Sequence, residues 1–187
     1  MILEKTIKQA SLLLKNYNIT THELDAEVIL SEIMGVTREF LIVNNNMIIP
    51  NNTIKEFNVA IKRRTKKEPV AYIIGKKEFW SEDFLVNKAT LVPRPETELL
   101  IYKIIKYFKN KKINILDIGT GSGCILLSIL KELKYSRGTG IDISAKAIKT
   151  AKSNAIKLNL FNSSKFKVCD LNKFNIGKYD LIVSNPP

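Results

Sequence analysis

Leu116-Asp117-Ile118-Gly119-Thr120-Gly121-Ser122-Gly123 is the stretch that decides the fold of this chain. The apolar run Ile113 to Ile118 reads as a strand, the glycines form a turn, and Ile125 to Leu133 has the composition of the following helix. Without side chains at 119, 121 and 123 the backbone turns sharply and lets a ligand approach closely. Downstream the pattern repeats. Thr139 to Ile143 is a second strand, and Ser144 caps a helix whose Ile148, Ala151, Ala155 and Leu158 share a face. Lys165 to Cys169 and Tyr179 to Ser184 are two further strands. Strands and helices in alternation predict a parallel, doubly wound α/β sheet.

The same turn discriminates between ligands. Its spacing is Gly-x-Gly-x-Gly, with Cys124 where a dinucleotide fingerprint carries its third glycine. Asp117 would repel a pyrophosphate but attract the ammonium or sulfonium of S-adenosylmethionine. At ~5 Å and an effective dielectric of ~20, one such charge pair is worth about 3 kcal/mol before desolvation. Gly119, Thr120, Gly121, Ser122 and Gly123 are therefore the expected cofactor-binding residues. Asp142, at the end of the second strand, is the expected acceptor for the ribose hydroxyls, a role that dinucleotide enzymes share. Asp170 and Leu171 follow the third strand, at the edge where open α/β sheets bind ligands, and are read as bordering the adenine; for Asp170 an ordinary turn is the alternative.

The fourth strand runs into Ser184-Asn185-Pro186-Pro187. Proline fixes φ, removes N–H donors and extends the residue before it. What remains is rich in acceptors: the Asn185 side-chain oxygen and the Pro186 carbonyl can each take one N–H of a substrate NH2 group. Holding that nitrogen toward a sulfonium methyl is catalysis by orientation, a large term for a weak nucleophile. Asn185 is thus the expected catalytic residue, and Asn185, Pro186 and Pro187 the expected substrate-binding residues. No general base is evident.

Upstream of the α/β pattern the chain reads differently. Residues 1–75 look helical: Leu3, Ile7, Ala10, Leu14 and Tyr17 line one face, and Thr20 with Glu23 forms a capping box for a helix closed by Gly35. Thr53 with Glu56 opens another. These residues are expected to form a small helical bundle. Residues 76–92 hold Phe79, Trp80, Phe84, Leu85 and Val86 around Ser81-Glu82-Asp83, a strand pair with a polar turn linking the domains. Residues 93–187 form the cofactor-binding domain, opened by a helix with Pro95 at its first position and Leu100, Ile104, Tyr107 and Phe108 on its buried face.

Composition sets the remaining bounds. Apolar residues make up 45% of the 187, no run reaches the ~18 residues that span a bilayer, and the start lacks a signal-peptide pattern. A soluble, cytoplasmic protein without membrane partners is expected. Cys124 and Cys169 belong to no metal-binding cluster and read as small reduced buried residues, so no metal is expected. Lys plus Arg number 30 against 18 Asp plus Glu, a net charge of +12. The charge is mostly dispersed. Its denser stretches, Lys62 to Lys67 and the set Lys103, Lys106, Lys109, Lys111 and Lys112, fall on or just after amphipathic helices and read as solvated faces; a nucleic-acid partner is the less favoured reading.

Several segments together carry a resemblance. Leu24-Asp25-Ala26-Glu27, Glu68-Pro69-Val70-Ala71-Tyr72-Ile73-Ile74-Gly75, Glu78-Phe79-Trp80, Val92-Pro93-Arg94-Pro95-Glu96-Thr97-Glu98, the glycine turn, Asp142-Ile143-Ser144 and Asn185-Pro186-Pro187 resemble the bacterial release factor glutamine methyltransferase family over nearly the whole chain. The glycine turn marks the superfamily only, and the Asn-Pro-Pro motif several kinds of amino-group methyltransferase. The Pro-Arg-Pro-Glu-Thr-Glu and Glu-Pro-Val-Ala-Tyr segments single out the family. The resemblance implies a Rossmann-like S-adenosylmethionine-dependent methyltransferase fold preceded by a helical bundle. It also implies N5-methylation of the glutamine in the Gly-Gly-Gln motif of peptide chain release factors, which would be the partners. Carried over by position, Gly119 to Gly123, Asp142, Leu171 and Asn185 contact the cofactor, and Asn185 to Pro187 the substrate glutamine. Leu171 stands where some members have an aromatic. In the family an aromatic also follows the second proline and further strands complete the sheet, whereas this chain stops at Pro187. The fourth strand would then be an unpaired apolar edge, and the polypeptide alone is expected to be weakly active or inactive. The competing readings are a nucleic-acid amino methyltransferase acting on adenine or guanine, and a truncated, non-catalytic fragment that only binds a partner.

Overall fold

The computed structural model describes residues 1–175 and 177–186; Pro187, one of the three expected substrate-binding residues, lies outside them. The chain divides into two compact units, Met1–Ile74 and Gly75–Pro187.

The first unit is helical: α1 (Leu3–Asn16), α2 (His22–Met34), α3 (Arg38–Val43), α4 (Asn51–Thr65) and α5 (Val70–Ile74). Leu3, Ala10 and Leu14 of α1 bury against Ala26, Ile29 and Leu30 of α2 and Phe57 and Ile61 of α4, the i, i+3, i+4 spacing of a core-facing stripe. Tyr17 ends α1 and is exposed. Gly35 closes α2 at φ 65°, as expected of a left-handed cap. Both expected capping boxes fail. Thr21, not Thr20, precedes α2, and its hydroxyl donates to the Asp25 carboxylate instead of capping. α4 begins two residues before Thr53, after Pro50. The basic stretch at the end of α4 is structural in part: Arg64 Nε donates to Asp25 Oδ2 at 2.7 Å, and Arg63 clamps Glu68 through Nε and Nη2.

The second unit opens with a hairpin, β1 (Lys76–Phe79) and β2 (Glu82–Leu85), paired antiparallel. The turn is Trp80-Ser81, both left-handed at φ 52° and 57°, as a two-residue type I′ connection demands. The expected polar turn at Ser81-Glu82-Asp83 is therefore displaced, with Glu82 and Asp83 inside the second strand. Glu98 stabilises the strained turn by accepting the Trp80 backbone N–H at 2.8 Å, and Trp80 Nε1 donates to Glu132.

α6 (Thr97–Phe108) follows, with Pro95 in the turn before it. Its buried residues are Ile101 and Ile104; Leu100 and Tyr107, expected inside, are exposed. The helix is apolar nearly all round, so composition alone does not select its inner face. Then come β3 (Asn114–Ile118), α7 (Cys124–Glu132), β4 (Arg137–Asp142), α8 (Ala145–Lys157), β5 (Ser164–Val168), a 3-10 turn (Leu171–Lys173) and β6 (Leu181–Ser184). The four strands form a parallel sheet in the order β5-β4-β3-β6. The order reverses direction beside β3, which places the end of β3 at the switch point where open α/β sheets hold ligands. Ile115, Leu126, Ile129, Ile148, Ala151 and Phe166 make the core between the sheet and its helices. Among the described residues no helix is long and apolar enough to cross a membrane, and no group of His, Cys, Asp and Glu is placed to hold a metal ion.

Candidate active site

β3 ends at Ile118, and the chain then turns through Gly119, Gly121 and Gly123, whose φ values of 69°, 57° and 79° are all left-handed. That conformation strains any residue with a Cβ. Gly123 is also the N-cap of α7, and a Cβ there would meet Ala151 and Leu127 at 3.2 Å. One cleft is lined by Gly119, Thr120, Gly121, Ser122, Cys124 and Asn185, with Phe79 of β1 and Leu91 to Pro93 completing its wall. Five of the expected residues thus meet in one place; Gly123 acts behind them, on the helix.

Asn185 reaches the cleft because β6 pairs with β3 in register, Ile118 opposite Ser184. The Ser184 hydroxyl donates to the Ile118 carbonyl at 2.9 Å, tying the two strand ends together immediately before the glycine turn. Pro186 lines a wider groove of about 540 Å³ with Asn185, Arg94, Glu96, Thr97 and Leu100.

Asp142 joins the site through the backbone. Its Oδ2 accepts the Gly121 N–H at 3.0 Å and its Oδ1 the Ser144 N–H at 2.8 Å. Each carboxylate oxygen keeps acceptor capacity for a hydroxyl. Leu171 does not line the cleft; it sits half exposed in the 3-10 turn, which Asp170 caps by accepting the Asn172 N–H. For Asp170, the turn-forming role is the one the structure displays.

Asp117 is placed otherwise than expected. Its carboxyl is 1% exposed, beneath the glycine turn and not open to the cleft. Thr120 Oγ1 donates to its Oδ2 at 2.6 Å, while Oδ1 has no partner. Burial raises its pKa to about 7, against the opposing pull of the Thr120 hydroxyl. Folding therefore takes up a proton here wherever the pH lies between the ordinary carboxylate value and about 7. The stability this proton confers is complete at acid pH and is lost as pH rises through 7. Denaturant titrations without ligand should show falling stability from pH 5 to 8, and Asp117→Asn, which keeps an acceptor for Thr120, should flatten the profile. An equally steep profile in the variant would contradict this.

One positioning residue has no signature in the sequence. Asn154 of α8 is fully buried. Its Nδ2 donates to the carbonyls of Ser122 and Leu85, and its Oδ1 accepts the Leu85 N–H. A single side chain thus pins the glycine turn to the hairpin. Asn154→Ala leaves buried backbone groups unpaired and should cost about 2 kcal/mol. Chemical denaturation checks that figure, and an unchanged midpoint would refute it.

S-adenosylmethionine fits these residues. The acceptors of Asp142 suit a ribose, the glycine backbone admits close approach, and the unpartnered Ser122 Oγ leaves polar capacity in the cleft wall. Burial pushes the Cys124 thiol up to about 12, so it stays protonated at neutral pH and does not compete as a methyl acceptor.

Comparison with known proteins agrees with this fold. Residues 5–75 match the PrmC N-terminal domain family and residues 109–186 a methyltransferase domain family. The release factor glutamine methyltransferase of Buchnera aphidicola subsp. Schizaphis graminum is 40% identical over 99% of this chain and 65% of its own length. A bifunctional methyltransferase of Rickettsia bellii is 36% identical over 99% of this chain but 38% of its own. The chain thus spans about two thirds or less of the length of these relatives. The fold is the Rossmann-like one of S-adenosylmethionine-dependent methyltransferases. With 38% identity over all of this chain and 67% of the release factor glutamine methyltransferase of Buchnera aphidicola subsp. Baizongia pistaciae, the chain belongs to the release factor glutamine methyltransferase family.

Proposed function

We propose that this protein N5-methylates the glutamine of the Gly-Gly-Gln motif in peptide chain release factors, with S-adenosylmethionine as donor. The observation that carries the reading is the placement of Asn185 against the glycine turn by the β3–β6 register and the Ser184 hydroxyl. S-adenosylmethionine supplies a methyl group made electrophilic by its sulfonium. Asp142 orients the donor by accepting ribose hydroxyls, and Gly119 to Gly123 admit it. The Asn185 oxygen and the Pro186 carbonyl accept the two N–H bonds of the substrate amide, and Pro187 is the third residue assigned to the substrate. An amide nitrogen is a poor nucleophile because its lone pair is delocalised, so fixing its direction is the main service these residues provide. Residues 1–75 serve as the substrate-recognition domain, residues 76–92 as the hairpin linker and residues 93–187 as the donor-binding domain; Leu171, outside the cleft itself, borders the adenine where it extends past the end of β5. The work is cytoplasmic, where release factors act. Asn185, Pro186 and Arg94 also line the wide groove beside the donor cleft, which suits a protein segment better than a small molecule.

The test is transfer of labelled methyl from S-adenosylmethionine to purified release factor, using the chain and the chain extended by the remaining third of its Buchnera relative. Label on the Gly-Gly-Gln peptide is expected. Label on RNA or DNA amino groups with the release factor unmodified would overturn the reading.

A further inference from the structure

Strand alternation sorts β4 and β5 onto two faces of the sheet. Gly138 and Gly140 face the helices, so closely that a Cβ at either would run into Leu126 or Phe166. Arg137, Thr139, Lys165 and Lys167 consequently point to the opposite face, with Thr139 in register with Lys165. Lys178, beyond β5 in the chain, joins them. A cleft of about 330 Å³ is lined by these cations together with Asn162 and Tyr179. It lies toward the start of β3 and β4, whereas the glycine turn and Asn185 lie at the far ends of β3 and β6.

Several basic side chains elsewhere pair with carboxylates, as in Lys8–Glu4, Arg38–Glu27, Arg64–Asp25 and Lys76–Asp83. Among the described residues, no carboxylate lines the cleft. Asp180, next in sequence to Tyr179, has its Oδ2 engaged by the Asn114 N–H. Four like charges line one cleft, so their fields add and attract an anion. The cations are also arranged in a row. Lys165 and Lys167 are two residues apart on one strand, about 6.6 Å, and Arg137 lies on the neighbouring strand. Such spacing suits successive phosphates of a polymer better than one small anion. Tyr179 sets an aromatic ring beside the row, on which a base can stack, and Asn162 adds an amide donor for phosphate oxygens.

We propose that this cleft is a docking site for a single-stranded segment of nucleic acid, held through its phosphates by Arg137, Lys165, Lys167 and Lys178. It is separate from the methyl-transfer site and does not depend on the identity of the methyl acceptor.

The test is fluorescence anisotropy of an end-labelled 12-mer RNA titrated with the chain from 50 to 300 mM salt. Neutralisation of three to four phosphates predicts a slope of log affinity on log salt of about −2 to −3. Lys165→Ala with Lys167→Ala should weaken binding at least fivefold and reduce the slope by about 1.4. Lys103→Ala with Lys106→Ala, which removes the same charge from α6 on the other side of the sheet, should change neither. Thermal unfolding and Trp80 fluorescence establish that both variants are folded. Equal losses in the two variants would show that net charge alone is at work and would overturn the proposal. So would absence of binding at 50 mM salt, or displacement of the RNA by a polyglutamate peptide at equal or lower concentration.

Discussion

Replacing Asn185 with alanine should lower the rate of methyl transfer about 10²- to 10³-fold while changing donor affinity far less. The side chain stands where the glycine turn and the end of β6 meet, and its oxygen is the one side-chain acceptor that the Ser-Asn-Pro sequence brings there. Pro186 has no N–H to compete for that acceptor. Loss of a single preorganised polar group at a reacting centre commonly costs about 10²–10³ in rate, and here the loss also frees the substrate amide to rotate. Asn185→Asp keeps an acceptor oxygen but places a full charge near the sulfonium, and should fall between wild type and Asn185→Ala. Single-turnover rates of the extended form, with donor affinity measured by calorimetry, separate the two effects. A variant that loses donor affinity and rate in the same proportion would show Asn185 to be a donor-binding residue alone.

The second large effect is expected at Asp142. Asp142→Ala should raise the dissociation constant for S-adenosylmethionine, or for its demethylated product, about 100-fold. Hydrogen bonds to a charged acceptor contribute about 1.5–3 kcal/mol each, and two ribose hydroxyls give about two decades after partial compensation by water. Part of the loss arises within the protein, because the Gly121 and Ser144 N–H groups lose their acceptor and the glycine turn is freed. A ligand lacking the 2′-hydroxyl distinguishes the two contributions: it should bind the wild type much more weakly than the parent ligand, yet bind Asp142→Ala nearly as well as the parent does. Calorimetric affinity within fivefold of wild type would refute the assignment.

The glycine turn was legible because its signals are local. Glycine takes a left-handed φ without strain, so the cluster at 119, 121 and 123 announces the turn, and the acidic residue closing the next strand announces Asp142. The hairpin was legible as a pair of strands but not in its turn. Trp80 and Ser81 adopt left-handed angles that their residue types disfavour, and the compensating acceptor, Glu98, lies on another element. The inner face of α6 was misread for a related reason: with apolar residues on most sides, which of Leu100, Ile101, Ile104 and Tyr107 goes inside is settled by the sheet beneath.

By itself, then, the amino-acid sequence determined the order of strands and helices, the glycine turn, the Asn-Pro end of β6 and the family, since each depends on a residue type and its near neighbours. The tertiary structure alone decided that Asp117 is buried and holds its proton to about pH 7, and that Asn154 pins the turn from 32 positions away. It alone decided that Arg137, Lys165, Lys167 and Lys178 share one cleft. Burial, long-range hydrogen bonds and the clustering of charge depend on which chain segments become neighbours, and that is set by strand register and packing.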